Sequence, residues 1–461
     1  MQIGAIIEQG PKDWQIIQQV DGKASITLAG IWVLTEPENP ADPTVYARIV
    51  REETGETVIP WKASSSPEAG KWEVTIEEVP AGGLYRIETC FNHGGNKALE
   101  WATRGDMIHH IGVGDVYVIT GQSNSAGYGK DPIQDAPEIG IHVLRNSGKW
   151  DLASHPLNES TNTIHKENRE QSNPGHSPYL SFSKKLKKEL GYPIGLIQAS
   201  LGGSPLSAWN PEEDGYLYRN MMQILASQAN SIKGVLWYQG CSDTSEEACD
   251  TYLERFKSMV AHLREDLNAP SLPILTVQLN RYVAQANAIS DKCWGKVREA
   301  QRQAGQQIPD VYVIPSTDSG LSDAVHISSA SNMVLGERLA RTALKHVYGK
   351  GFLGNAPDLS EAKKVDADKV QLQFQHVSDR LFTFDVGADH LPFVVEDAEG
   401  FLSITSYEQQ DAHSILITLD RALTGSCQVH GAFEQNPKAV IPIDFASHLP
   451  MLSFYGVGVI D

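Results

Sequence analysis

Val116-Tyr117-Val118-Ile119-Thr120-Gly121-Gln122-Ser123-Asn124 sets the architecture of this chain. A β-branched apolar run ends at a glycine, and a serine comes two residues later. A strand apolar at every position is buried on both faces, as in a parallel sheet sheathed by helices. In such sheets ligands bind beyond the carboxyl ends of the strands. Ser123 is therefore the first candidate nucleophile.

The same texture recurs on the C-terminal side. Buried strands are expected at 116–120, 141–144, 194–199, 235–238, 274–279 and 311–314. Helices are expected at 179–190, 216–231, 246–267 and 291–307, with a last one at 331–348. Strand and helix in alternation predict a parallel α/β sheet covered on both faces. The flanks differ. Val45, Ala47 and Ile49 alternate with polar neighbours, as do Trp72, Val74 and Ile76, and Tyr85, Ile87 and Thr89. Turn signals at Asp21-Gly22, 40–43, Thr54-Gly55 and 81–83 separate them. Val370, Leu372 and Phe374, and Ile415, Ile417 and Leu419, alternate likewise near the other end. Short alternating strands between turns predict β-sandwich-like units. The expected division is 1–107 β-sandwich-like, 108–352 α/β, and 353–461 β-rich and accessory.

A length of 461 residues accommodates these units. With 38 Lys and Arg against 57 Asp and Glu, the formal net charge is −19, which argues against nucleic-acid or anionic-membrane partners. No apolar run reaches the ~18 residues of a membrane span. The first residues show neither a basic stretch nor a sustained apolar one, so no signal peptide is expected. Cys90, Cys241, Cys249, Cys293 and Cys427 are few, odd in number and without C-x-x-C spacing. They read as free thiols, and the expected compartment is the cytoplasm. The oligomeric state is left open, a homo-oligomer included.

A parallel sheet gathers the residues just past each strand at one rim. Gly121-Gln122-Ser123-Asn124, Ser200-Leu201-Gly202-Gly203-Ser204, Gln239-Gly240, Asn280-Arg281 and a loop with Asp318, Asp323 and His326 all qualify. A serine hydroxyl needs a base, and a histidine near neutrality supplies one. The histidine needs a carboxylate to hold its tautomer. Asp323-Ala324-Val325-His326 puts both on one loop, although an aspartate there could equally cap the next helix. Acyl transfer also needs donors for an oxyanion, and the candidates are the Ser123 N–H, Gly202, Gly203 and the Gln239 amide. Gln239 could instead be a buried amide tying loops. The nucleophile elbow G-x-S-x-G is not met, because Ser125 stands at its last position.

Gly121-Gln122-Ser123-Asn124, Ser200-x-Gly202-Gly203-Ser204-x-x-x-x-Trp209, Trp237-Tyr238-Gln239-Gly240 and Asp323-x-x-His326 resemble the four blocks of the SGNH-hydrolase superfamily. More narrowly, they resemble the sialate O-acetylesterase-like carbohydrate esterases, over about 115 to 345. The resemblance implies a three-layer α/β/α sandwich with flanking β-domains. It implies Ser123 as nucleophile, His326 as base, Asp323 as its partner, and an oxyanion hole from Ser123, the glycine loop and Gln239. The implied substrate is an acetylated sugar or oligosaccharide, of the hemicellulose type or a sialic acid, with no cofactor. Gln122, Asn124 and Trp209 are candidate sugar contacts, although Trp209 could be a packing tryptophan. Two departures stand out: the family's W-Y-Q-G-E and D-x-x-H-P read Cys241 and Ile327 here. A thioesterase or lipase with the same triad, or a non-catalytic glycan binder, are the alternatives. The polar loop 150–179, with His165, Arg169 and His176, could line a pocket. His109-His110 reads as a domain junction. No histidine–carboxylate group has the sequence spacing of a metal site, so no metal is expected.

Overall fold

The structure is a computed structural model that describes residues 3–34, 43–66, 68–93, 98–228, 231–383 and 391–461. The turn expected at 40–43 falls outside these residues except for Pro43. Of the helix expected at 216–231, residues Tyr216–Gln228 form it, 229 and 230 fall outside, and Ser231 is not helical.

The centre is a parallel sheet with the order Ile141–Leu144, Ile194–Gln198, Thr103–Gly121, Gly234–Tyr238, Ile274–Val277, Val311–Ile314, and Trp150–Leu152 antiparallel at one edge. Every residue of the strands at 141, 194, 234 and 274 is buried. Successive side chains point to opposite faces, so both faces are covered. Helices Tyr179–Leu190 and Ser329–His346 pack together, as do Glu246–Asp266 and Ala288–Gln307. Each expected helix forms. Two begin slightly early because their caps lie upstream: Asn287 accepts the N–H groups of Ile289 and Ser290, and Ser328 accepts that of Ser331.

The Thr103–Gly121 strand comes first in the chain yet lies in the middle of the sheet. Loops from strands on both sides therefore meet at its end. Its first half pairs antiparallel with Gly82–Asn92. Its Ile108, Ile111 and Val113 belong to a cluster with Ile26, Leu28, Ile49 and Ile87, whereas Val116 to Ile119 belong to the central core. One strand thus changes core between Val113 and Val116, with no linker. That first cluster is shared by the sheet Gly4–Gln9, Lys23–Val33, Lys71–Pro80 and by the strands Thr44–Arg51 and Gly82–Asn92.

Beyond residue 357 an eight-stranded sheet carries a third core around Val370, Leu372, Phe374, Ile417 and Phe454. No helix among the described residues is long and apolar enough to cross a membrane.

Candidate active site

The long strand ends under tight constraint. Gly121 has φ +117°, and a Cβ there would lie 2.3 Å from the Tyr238 carbonyl oxygen, so only glycine fits. The chain then turns into one helical turn, Ser123–Ala126. Gln122, Asn124 and Ser125 are buried, and Ser123 alone among them reaches the rim half-buried. The Ser123 N–H starts that turn and has no acceptor among the described residues, as expected of a first-turn amide.

Asp323 organises the loop carrying His326. One carboxylate oxygen accepts the backbone N–H groups of Val325 at 2.9 Å and His326 at 2.8 Å, and the other lies 2.7 Å from His326 Nδ1. The carboxylate accepts, so the Nδ1 proton is fixed and Nε2 keeps its lone pair. Burial pushes the Asp323 carboxyl up, but the His326 and backbone bonds outweigh it and hold it below its ordinary value.

Asn124 ties this loop to the serine. Its Oδ1 accepts the Ile327 N–H at 3.0 Å, and its Nδ2 donates to the Val325 carbonyl at 3.2 Å. Both backbone neighbours of His326 are thereby fastened to the residue after Ser123. Asn280 adds a 2.7 Å bond to the same carbonyl and accepts the Tyr238 hydroxyl at 2.7 Å. The Tyr128 ring stacks on His326, with centroids 4.6 Å apart.

The glycine loop is also brought in. Leu201 N–H donates to the Gly121 carbonyl at 3.0 Å, which sets Gly202 and Gly203 beside the serine turn. Gly203 is exposed. The Gly202 N–H donates to Glu170 Oε1 at 2.6 Å, and the other Glu170 oxygen accepts the Tyr128 hydroxyl. Neither Glu170 nor Tyr128 was singled out by the sequence, because their meeting depends on a long loop folding back.

Three expectations need correction. Gln239 is fully buried, and both amide hydrogens are spent, on Asp243 Oδ2 at 2.5 Å and the Ser204 carbonyl at 3.2 Å. It ties loops together and presents no donor to an oxyanion. Trp209 is fully buried, its Nε1 donating to Ser204 Oγ at 3.0 Å and its ring edge-on to Trp237. It is a packing tryptophan. Gln122 and Asn124 also face inward: Gln122 Oε1 accepts the Gly240 and Ser242 N–H groups, and Asn124 holds the histidine loop. Cys241 is half-buried, and burial pushes its thiol up to about 12, so it carries no charge in place of the family's glutamate.

The loop histidines divide. His176 joins Asp135 and His155 in a cluster whose ligand-type atoms lie within 4.8 Å of one another. The three are 20 and 21 residues apart, so sequence spacing gave no hint of it. Both histidine Nε2 atoms approach Asp135 Oδ2, at 3.1 and 3.0 Å, and Lys184 Nζ holds Oδ1 at 2.5 Å. The two rings stack at 3.9 Å. Burial would raise the Asp135 carboxyl, but bonds from His155, His176 and Lys184 hold it well below the carboxylate range. Asp318 is held by Arg338 through two bonds of 2.7 and 2.6 Å. Arg169 donates to the Thr163 carbonyl. His109 and His110 both meet Glu52, within the long strand.

An α/β sheet that delivers a serine, a histidine held by an aspartate and an unpaired amide to one rim defines an esterase by class. Residues 113–345 match the family model described as carbohydrate esterase, sialic acid-specific acetylesterase, and the chain belongs to that family. A probable carbohydrate esterase of Arabidopsis thaliana is 30% identical over 254 residues, 50% of this chain and 90% of that protein. The human sialate O-acetylesterase is 22% identical over 411 residues, 76% of each chain. Among solved structures, a carbohydrate acetylesterase from Xanthomonas citri shares the fold over 97% of this chain and 98% of its own, with TM-score 0.69 and 21% identity.

Proposed function

We propose that this protein is a serine esterase that removes O-acetyl groups from acetylated carbohydrates through an acyl-enzyme. His326 Nε2 takes the Ser123 hydroxyl proton as the oxygen attacks the acetyl carbonyl carbon. Asp323 holds the ring and stabilises the imidazolium. The carbonyl oxygen becomes an oxyanion and accepts the Ser123 and Gly202 N–H groups. His326 then protonates the departing sugar oxygen, leaving acetyl-Ser123. Water, deprotonated by the same histidine, releases acetate and restores the serine.

The observation that carries this reading is the Asn124 tether. It fastens both sides of His326 to the residue next to Ser123, while Asp323 fixes the Nδ1 proton and leaves Nε2 as a base. The names of the relatives support acetylated sugars as the substrate class.

Ser123→Ala is expected to lower acetate release from acetylated xylan, mannan and sialic acid by at least about 10³-fold, with an unchanged melting temperature. A fluorophosphonate probe is expected to label the wild type and not the variant. Retained hydrolysis in Ser123→Ala, or labelling elsewhere, refutes the assignment.

A further inference from the structure

The Gly202 amide, assigned to the oxyanion, already donates to a full negative charge. Glu170 Oε1 lies 2.6 Å from the Gly202 nitrogen. A Cβ on Gly202 would lie 3.1 Å from that oxygen and 3.3 Å from the Tyr128 hydroxyl, so these groups press directly on the glycine. The carboxylate therefore occupies the place that an acetyl carbonyl oxygen needs.

Its neighbours hold the carboxylate in that place. Tyr128 donates to the second oxygen, and burial together with Glu170 pushes the phenol far above its ordinary value, so the tyrosine stays a donor. No lysine or arginine forms an ion pair with Glu170 among the described residues. Lys130 lies over the Tyr128 ring at 5.1 Å, and Arg169 is turned to the Thr163 carbonyl. The exposed Asp323 adds a second negative charge to the same rim. The backbone around Glu170 is pinned: Asn168 is fully buried and accepts the Thr163 hydroxyl at 2.9 Å, and the Glu170 N–H reaches the Ser160 carbonyl. The fixed backbone keeps the Glu170 carboxylate in the wall of the site.

We propose that Glu170 determines specificity: it covers the Gly202 N–H until an acetyl carbonyl displaces it, and its charge then selects neutral acetylated sugars over those bearing a carboxylate. This rests on the serine-esterase reading. An uncharged acetyl ester replaces one acceptor by another at Gly202. A sialic acid brings a further anion toward two carboxylates, the half-buried Glu170 and the exposed Asp323, and like charges repel across the rim.

The test compares wild type, Glu170→Gln and Glu170→Ala on 4-nitrophenyl acetate, an acetylated methyl xyloside and an O-acetylated sialic acid. Loss of a charge-assisted hydrogen bond competing for the amide is expected to raise kcat/KM for 4-nitrophenyl acetate about tenfold in Glu170→Ala. Both variants are expected to raise the sialate-to-xyloside ratio of kcat/KM by about tenfold, since both remove the charge. Glu170→Gln keeps the shape and decides the matter if Glu170→Ala does not fold. An unchanged ratio in Glu170→Gln, or loss of activity on all three esters in that variant, overturns the role of Glu170 while wild-type turnover leaves the esterase reading standing. A wild type inactive on all three esters overturns both.

Discussion

Among side chains that touch no reacting atom, Asn124 places the base. Its two bonds make the position of His326 a consequence of the strand that carries Ser123. In Asn124→Ala the Ile327 N–H loses its acceptor in a buried setting, at a cost of about 1–3 kcal/mol. The Val325 carbonyl keeps the Asn280 bond. Misplacing a base by an ångström costs about 10²-fold in rate. Steady-state kinetics is expected to show that fall in kcat with KM little changed, and an unaltered kcat means the tether is dispensable. The rim positions of Ser123, Gly202, Asp323 and His326 were legible because each comes after a recognisable strand. The directions of Gln122, Asn124, Trp209 and Gln239 were not. Side-chain direction depends on which block meets which, and here the blocks hydrogen-bond one another. Glu170 was illegible for the same reason, since its partner Gly202 lies on another loop.

Among strands and helices, the solid apolar runs announced the central strands, and their buried patterns come from covering on both faces. The long strand was read only from Val116, because its first half is mostly polar and pairs antiparallel with Gly82–Asn92. The Ala288–Gln307 helix carries a role that periodicity alone could not disclose. Its Arg298 donates to the carbonyls of Leu279 and Asn280 on one side and of Phe433 and Glu434 on the other. One turn on, the buried Arg302 grips Glu299 through two bonds of 2.9 and 2.8 Å and reaches Asp358 at 2.8 Å. Arg302→Ala leaves two buried carboxylates without their cation, which costs about 3–5 kcal/mol. Calorimetry is expected to show a lower melting temperature, with the region beyond residue 357 loosening first. An unchanged thermogram means the helix is not the clamp between these parts.

Across the molecule as a whole, the first region meets the central sheet along a seam that senses acid. His142 sits on the Ile141–Leu144 strand, fully buried, with Nδ1 donating to the Trp14 carbonyl at 2.6 Å and the Trp14 ring edge-on at 5.1 Å. Its Nε2 is buried without a hydrogen-bond partner among the described residues. Protonation would place a cation beside Trp14 with no acceptor at Nε2. Burial lowers the His142 pKa to about 4, with nearby His110 acting in the same sense; the Trp14 carbonyl, Asp151 and Glu52 oppose it. The unfolded chain binds this proton near the ordinary 6.5 and the folded chain only near 4, so acid favours unfolding between the two. The stabilisation is complete above about pH 6.5 and lost as the pH falls toward 4, about 3 kcal/mol in all. Asp135, whose carboxyl is held down, adds its own loss only below its ordinary 3.8. His142→Gln keeps a donor for the Trp14 carbonyl but removes the titration. Denaturant unfolding between pH 7 and 4 is expected to show the wild-type slope of stability against pH reduced by up to one proton in the variant. His430, whose pKa burial also lowers to about 4, should supply part of the remaining slope. Equal slopes in the two proteins mean that the seam does not titrate.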